Sequence, residues 1–381
     1  MITAPQRALL ALTWQGVGPV RMAQLLQEHG TPEAALAAGP VAWDRPALRG
    51  RRTPRVPPPV SLEEELALIE RERVHLVTVV DADYPAALRT IHDPPPVLYV
   101  RGHLLPEDAA AVAIVGTRMA TAHGLAVAER LGRELAAHGL TIVSGLARGI
   151  DSAAHRGALR AGGRTIAVLG SGLLRLFPPE HQALAAQIAE HGAVLSEFPL
   201  QMSPRRETFP QRNRVIAGLS LGTVVVEAPA RSGALITASF ALEQGREVFA
   251  VPGPAGAVGS QGPHQLLRDG ARLAESAEDV LAELRGPLAA CVAQMTRDQP
   301  TPVAAAAVPL AVAVPPAGTP RLTAEEAPVY ARLSTQPAAV EWLVAQTGAP
   351  PGRLLRVLLA LELRGLIRQM PGQQFVRVAP A

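Results

Sequence analysis

The stretch A-I-V-G-T-R at 113–118, followed by I-V-S-G-L-A-R-G-I-D-S-A-A-H at 142–155, decides the fold. Each begins as a short apolar run and breaks at a glycine. A run of this kind, too short for a helix, reads as a strand buried on both faces. The glycine lets backbone turn sharply and approach an anion closely. Working outward, near-continuous apolar runs recur at Val74–Val80, Val112–Val115, Thr141–Val143, Thr165–Leu169, Ala193–Leu195, Thr223–Val226 and Val248–Val251. Helical stretches at 121–138, 179–190 and 232–244 separate most of them. Strand and helix in alternation predict an α/β domain over 60–285, a Rossmann-like, doubly wound and mainly parallel sheet. Ligands of such sheets sit beyond the carboxyl ends of the strands, so both glycine motifs point to one rim.

The flanks read differently. Residues 1–50 predict a small helical domain, with Leu9, Leu10 and Leu12 in one run and Met22, Leu25 and Leu26 in the next. Between them, Q-G-V-G-P at 15–19 has two open readings: a helix-hairpin-helix whose amides meet a phosphate, or a tight helix connection. R-R-T-P-R-V-P-P-P at 51–59 is a linker by composition, because proline stops both helix and ladder. Residues 286–320 read as a second, Pro/Ala-rich linker whose 299–320 part has six prolines and no charge. Residues 321–381 predict three helices near 323–333, 337–347 and 351–364, then strands at Leu366–Gln369 and Gln374–Val378. That is winged-helix order, with Arg353, Arg356 and Arg364 on the recognition-type helix. Contact with duplex DNA and contact with protein both stay open for this module.

Composition removes several classes of chemistry. A chain of 381 residues, 48% apolar, has room for two or three domains and a large core. Its net charge of +3 allows a local basic cleft, not a coat of positive charge. The sequence has no lysine, so all 36 basic residues are arginine. This excludes a Walker A lysine, a pyridoxal Schiff base and a lysine nucleophile. Cys291 is the lone cysteine, which excludes an internal disulfide and a multi-cysteine zinc site. The G-x-G-x-x-G dinucleotide fingerprint is absent. No cofactor or metal is expected. With no secretory leader and no long uncharged apolar run free of proline, the expected location is cytoplasmic.

What remains is a nucleic-acid chemistry. A second pair of motifs reads F-P-Q-R-N-R-V-I-A-G-L-S at 209–220 and A-R-S-G-A-L-I-T-A at 230–238. Asn213 is the only asparagine in the chain. Its amide offers donor and acceptor together, between two planar guanidinium groups. After the first strand, Gly116, Thr117 and Arg118 offer a close-approach backbone, a hydroxyl and a fork for phosphate. Ser144, Gly145 and Arg148 open a loop whose amides, at the start of the helix carrying Asp151 and His155, suit a second phosphate. Arg205, Arg206, Phe209, Arg212, Asn213 and Arg214 form the densest polar cluster. Arginines around one aromatic fit a single strand, where stacking contributes about 1–3 kcal/mol per base. The plainer reading makes Phe209 core and pairs the arginines with Glu197, Glu207 or Glu227. Asp151 and His155 read as structural, with Asp151 capping or anchoring the glycine loop, rather than as a catalytic dyad, since no nucleophile or metal set accompanies them.

These motifs resemble the DNA-processing protein A (DprA/Smf) family. The likeness starts at Tyr84-Pro85 and P-P-P-V-L-Y-V-R-G at 94–102 and runs through the motifs above. It also takes in G-G-R-T-I-A-V-L-G at 162–170, L-S-E-F-P at 195–199, V-F-A-V-P-G at 248–253 and G-A-R-L at 270–273. The resemblance implies a non-enzymatic protein that binds and protects incoming single-stranded DNA and loads RecA onto it in natural transformation. It carries DNA contacts onto Gly116, Arg118, Ser144, Gly145, Arg206, Phe209, Arg212, Asn213 and Gly233, with Ser232 beside the last. It implies a homodimer through Gly262–Leu273, where His264, Leu267 and Leu273 form an apolar seam, and a RecA contact near Leu242. Where many members have lysine before the aromatic, this chain has Arg205-Arg206, and which of them takes the contact is open. On this reading Arg118→Ala, Arg212→Ala and Phe209→Ala each weaken DNA binding and leave the fold intact. Two other readings stand beside it. One is a nucleotide-processing enzyme of phosphoribohydrolase type, whose P-G-G-x-G-T-x-x-E motif is not found here. The other is a duplex-binding regulator that reads through the winged helix.

Overall fold

The computed structural model describes residues 2–40, 58–297, 322–323, 325–334, 336–349, 351–370 and 374–378. Two compact units divide the chain: Met1–Ala136 with Leu140–Leu284, and Ala137–Gly139 with Arg285–Ala381.

The first unit opens with helices α1 (Ala4–Trp14), α2 (Pro19–His29), α3 (Pro32–Ala37) and α4 (Leu62–Arg71). Capping boxes Thr3–Gln6 and Ser61–Glu64 satisfy the free amides that start α1 and α4. The sheet follows as β1 (His75–Thr78), β2 (Val97–Gly102), β3 (Ala111–Val115), β4 (Thr141–Ser144), β5 (Thr165–Val168), β6 (Ala193–Ser196), β7 (Gly222–Val225), β8 (Glu247–Ala250) and β9 (Arg272–Leu273). Its order is β1-β2-β6-β5-β4-β3-β7-β8-β9. From β6 through β9 every neighbouring pair is parallel, whereas β1–β2 and β2–β6 are antiparallel. The order runs outward in both directions from β3, so the topological switch lies between β3 and β7.

The apolar runs predicted the parallel strands because both faces of the sheet are covered. On one face Leu98, Val100, Ile166, Val168 and Leu195 pack with Val215, Ile216 and Ala238. Their strand neighbours Val97, Tyr99, Ala167 and Val194 turn to the other face and pack with Leu9, Leu12, Leu25 and Ile188. The described part of the helical stretch expected at 1–50, residues 2–40, thus shares a core with the sheet, and 41–50 lie outside the described residues. The Q-G-V-G-P turn joins α1 to α2 with Val17 buried and Gly16 at φ 80°.

Helices α5 (Ala122–Ala137), α6 (Ile150–Arg160), α7 (Gln182–His191), α8 (Thr208–Leu219), α9 (Gly233–Glu243), α10 (Gln261–Arg268) and α11 (Ala277–Arg297) complete the alternation. Several elements depart from expectation. The antiparallel strand β2 widens the sheet beyond the apolar runs. Helix α11 reaches Arg297, so the first part of the stretch expected as linker at 286–320 is helical. Most of that linker, and residues 51–57 of the other, lie outside the described residues.

The second unit contains the winged helix as expected: α12 (Glu326–Arg332), α13 (Val340–Thr347), α14 (Pro351–Leu363), and a small sheet of β10 (Ala338–Ala339), β12 (Gln374–Arg377) and β11 (Ile367–Met370). Gly365, at φ 69°, turns the chain from α14 into the wing. Among the described residues no helix is long and apolar enough to cross a membrane.

Candidate nucleic-acid interface

Gly116 follows β3 directly, with no room for a side chain, since a Cβ there would meet Ile150 and the Glu227 carbonyl. Thr117 is held through backbone and side chain: its amide donates to the Glu227 carbonyl at 2.7 Å, and its Oγ1 accepts from the Met119 amide at 3.2 Å. That fixed turn delivers Arg118 to solvent at the rim. Its guanidinium lies over the Phe209 ring, 5.0 Å from the centroid.

The S-G-L-A-R-G loop after β4 is shaped from within. Ser144 is fully buried and its hydroxyl donates to the Ile114 carbonyl at 2.6 Å. The Gly145 and Ala147 amides donate to Asp151 Oδ2 at 3.1 and 3.3 Å. These two amides are therefore taken by a buried carboxylate and not left for a phosphate, which narrows the cradle expected of this loop. Asp151 supports the loop, as its position suggested. Burial raises the Asp151 pKa, against the pull of Arg212 and the two amides. Leu146 sits at φ 56°, a left-handed conformation costly for a leucine. Arg148 points outward.

The polar cluster around Asn213 forms a helix that the sequence reading did not assign. Residues on α8 advance about 100° each, so three consecutive polar side chains leave in three directions. Arg212, 4% exposed, donates from Nη1 to the carbonyls of Gly145, at 2.8 Å, and Val168. Burial pulls its pKa down to about 10, with Asp151 opposing and Arg118 adding to the drop, so it stays charged at neutral pH. Asn213 donates its amide to the Gly233 carbonyl at 3.1 Å and ties α8 to the start of α9. Arg214 is the clearest departure. It is buried, bound by Nε to Asp93 at 2.8 Å and by both terminal nitrogens to Glu197 at 3.2 and 2.7 Å. Its donors are committed to carboxylates inside the fold, which is the plainer pairing foreseen for Glu197. The expectation of a DNA contact is withdrawn for Arg214. Arg212 and Asn213 likewise spend their described bonds on backbone carbonyls.

Phe209 sits at the second position of α8, half-buried, with its ring against Gly170, where a Cβ would strike it. Phe177 meets it edge-on, ring centroids 5.9 Å apart. Arg118, Gly145, Ala147, Arg148, Phe177, Pro178 and Phe209 line one pocket at this rim. Phe177 was missed by sequence reasoning, although the scarcity of aromatics that singled out Phe209 applied to it equally. Arg205 and Arg206 are exposed at the approach to α8 and do not line the pocket. Gly233 is exposed, with open space where a side chain would stand, and Ser232 caps α9 through Oγ.

The other expected surfaces are also placed. Leu242 is 60% and Leu273 47% exposed. His264 bonds the Gly253 carbonyl at 3.0 Å, and Leu267 is half-buried on the same helix α10. In the winged helix Arg353 pairs with Glu325, and Arg364 pairs with Glu326 at 2.6 Å. The side chain of Arg356 lies outside the described residues. Among the described residues no group of three His, Cys, Asp or Glu side chains is placed to hold a metal.

Comparison with known proteins agrees with this architecture. A family model described as DNA recombination-mediator protein A matches residues 75–285, and one described as DprA winged helix domain matches 313–373. Protein Smf of Escherichia coli K12 is 41% identical over 320 residues, covering 83% of this chain and 80% of that protein. Protein Smf of Synechocystis is 36% identical, covering 96% of this chain and 98% of that one. Among solved structures, DNA processing protein A (DprA) from Streptococcus pneumoniae matches with a TM-score of 0.61 and 33% identity, covering 74% of this chain and 98% of its own. DNA processing protein A from Helicobacter pylori, described for its single-stranded DNA binding mode, matches with a TM-score of 0.50 and 30% identity, covering 56% of this chain and 97% of its own. This chain belongs to the DNA recombination-mediator protein A family, the DprA/Smf proteins.

Proposed function

We propose that this protein is a single-strand DNA-binding recombination mediator acting in the cytoplasm without breaking a bond in the DNA. The observation that carries this reading is the pocket where exposed Arg118 and Arg148 flank Phe209 and Phe177 at the carboxyl ends of parallel strands. Aromatic faces take bases irrespective of sequence, and guanidinium groups hold the phosphates between them. Arg205 and Arg206 extend the positive track beyond the pocket. Gly145, Arg212, Asn213 and Gly233 shape the rim from below. The kinship with the Helicobacter pylori protein supports the choice of a single strand over a duplex.

The later steps we propose extend the recombination-mediator description of the matching family model: protection of incoming strands, loading of RecA and a role in natural transformation. A homodimer through Gly262–Leu273 is consistent with the exposure of Leu273, and we place the RecA contact near exposed Leu242.

Fluorescence anisotropy of a labelled oligo-dT, with unlabelled duplex as competitor, tests the first step. Tight single-strand preference, weakened by Arg118→Ala, is expected. Equal affinity for duplex would overturn the reading. Recovery of the oligonucleotide at unchanged length and mass after incubation is the accompanying test that no chemistry is done on it.

A further inference from the structure

Arg148 and Glu180 face each other at the mouth of the pocket. Arg148 lines it, and its Nε donates to Glu180 Oε1 at 2.5 Å. Glu180 belongs to the segment that brings Phe177 and Pro178 to the pocket wall. The next residue, His181, is buried and donates from Nδ1 to the Leu146 carbonyl at 2.9 Å. The backbone at Glu180 is therefore held by its buried neighbour, and the carboxylate is held over the site by Arg148. The two side chains are 55% and 48% exposed. Ion pairs of such exposure are weakly held and readily exchanged for another anion. The bond from Arg148 keeps the Glu180 carboxyl below its ordinary range, so it is charged at neutral pH.

We propose that Glu180 is a specificity-determining residue that occupies the place of a phosphate oxygen on Arg148 and makes the pocket favour a phosphodiester strand over a free nucleotide. The inference rests on the single-strand reading above. An internal phosphodiester carries one negative charge, while a terminal phosphomonoester carries nearly two at neutral pH. Beside a fixed carboxylate the monoester suffers the larger repulsion. A strand also reaches Arg118 and the exposed Arg205-Arg206 track, so it tolerates a cost at one position. A free nucleotide has the pocket alone. Discrimination here comes from a repulsive element as well as attractive ones. Cellular nucleotides present the same bases and phosphates as a strand, so a site built only of rings and arginines would attract them as well.

The test uses the full chain, a labelled oligo-dT and unlabelled thymidine monophosphate as competitor. Glu180→Gln keeps the shape and removes the charge. It is expected to tighten oligo-dT by about two- to five-fold, the worth of an exposed ion pair. Thymidine monophosphate should gain by a larger factor, so that the ratio of the two affinities shrinks. In an Arg148→Ala background Glu180→Gln should give no further narrowing of that ratio. Both side chains are exposed, so melting curves of the variants should overlay the parent. An unchanged ratio, or the same narrowing without Arg148, overturns the proposal while leaving single-strand binding in place. Failure of the unaltered protein to bind oligo-dT overturns the single-strand reading itself, and this inference with it.

Discussion

The guanidinium of Arg118 rests over the ring of Phe209, 5.0 Å from its centroid, and neither residue is buried. One offers charge and the other a stacking face, and they can be separated by salt. Arg118→Ala should lower oligo-dT affinity by roughly ten-fold or more, as loss of a charged hydrogen bond does. It should also reduce the slope of log affinity against log salt by about 0.7, one phosphate contact. Phe209→Leu should cost a stacked base, about 1–3 kcal/mol, and leave the slope unchanged. An anisotropy series from low to high salt checks both. A slope that falls equally in the two variants would contradict this division of labour.

Gly145 and Arg212 are fitted to one another, because a Cβ on Gly145 would run into the Arg212 guanidinium. The sequence suggested that Arg212→Ala would weaken DNA binding in an intact fold. Burial changes that expectation. The truncation leaves the Gly145 and Val168 carbonyls without their donor and Asp151 without its opposing charge. Breaking a buried charge arrangement costs about 3–5 kcal/mol, so Arg212→Ala should lose stability before it reports on DNA. Gly145→Ala should do the same through the clash. Urea unfolding checks both, and an Arg212→Ala variant within about 0.5 kcal/mol of the parent, the range of an exposed site, would refute the argument.

The sheet was legible because strands covered on both faces cannot alternate, so β3, β4, β5 and β7 read as continuous apolar runs. The winged helix was legible through the stop at Gly365. Helix α8 was not, for a physical reason. A run of arginine and asparagine after Phe209-Pro210 looks like a solvated loop, and what makes it a buried helix is distant in sequence. Arg214 finds Asp93 across 121 positions, and Asn213 finds Gly233 across 20. No local pattern reveals such partners. Phe177 is a different case, since its aromatic ring was visible and its neighbour across the pocket was not.

Arg214 separates structure from recognition. Its bonds to Asp93 and Glu197 lie inside the fold, and burial raises the Glu197 carboxyl even as Arg214 pulls it down. Arg214→Ala strands two acidic groups, one of them buried, and should destabilise by about 3–5 kcal/mol. The fraction that remains folded should bind oligo-dT as the parent does. Stability from urea unfolding and affinity corrected for the active fraction are the paired measurements. A loss of affinity beyond the loss of folded protein would return Arg214 to the DNA interface.

His155 gives the fold an acid-sensitive point. Its Nδ1 lies 2.7 Å from Thr165 Oγ1, whose own hydrogen goes to the Ile142 carbonyl. Nδ1 must therefore be the donor, and Nε2 is bare and buried with no partner. Protonation would place an N–H there with nothing to accept it. Burial first, then the charges of His181, Arg212 and Arg156, push its pKa down from 6.5 to about 3. The unfolded chain takes up a proton below pH 6.5 that the folded chain refuses until about pH 3. Stability from this group is thus complete above pH 6.5 and is lost as the pH falls toward 3. At pH 5 the loss amounts to about 2 kcal/mol. His155→Gln retains a donor for Thr165 and has nothing to titrate in this window. Urea unfolding at pH 7 and pH 5 should show the parent losing about 2 kcal/mol more than the variant, and parallel losses would mean that His155 is charged in the fold.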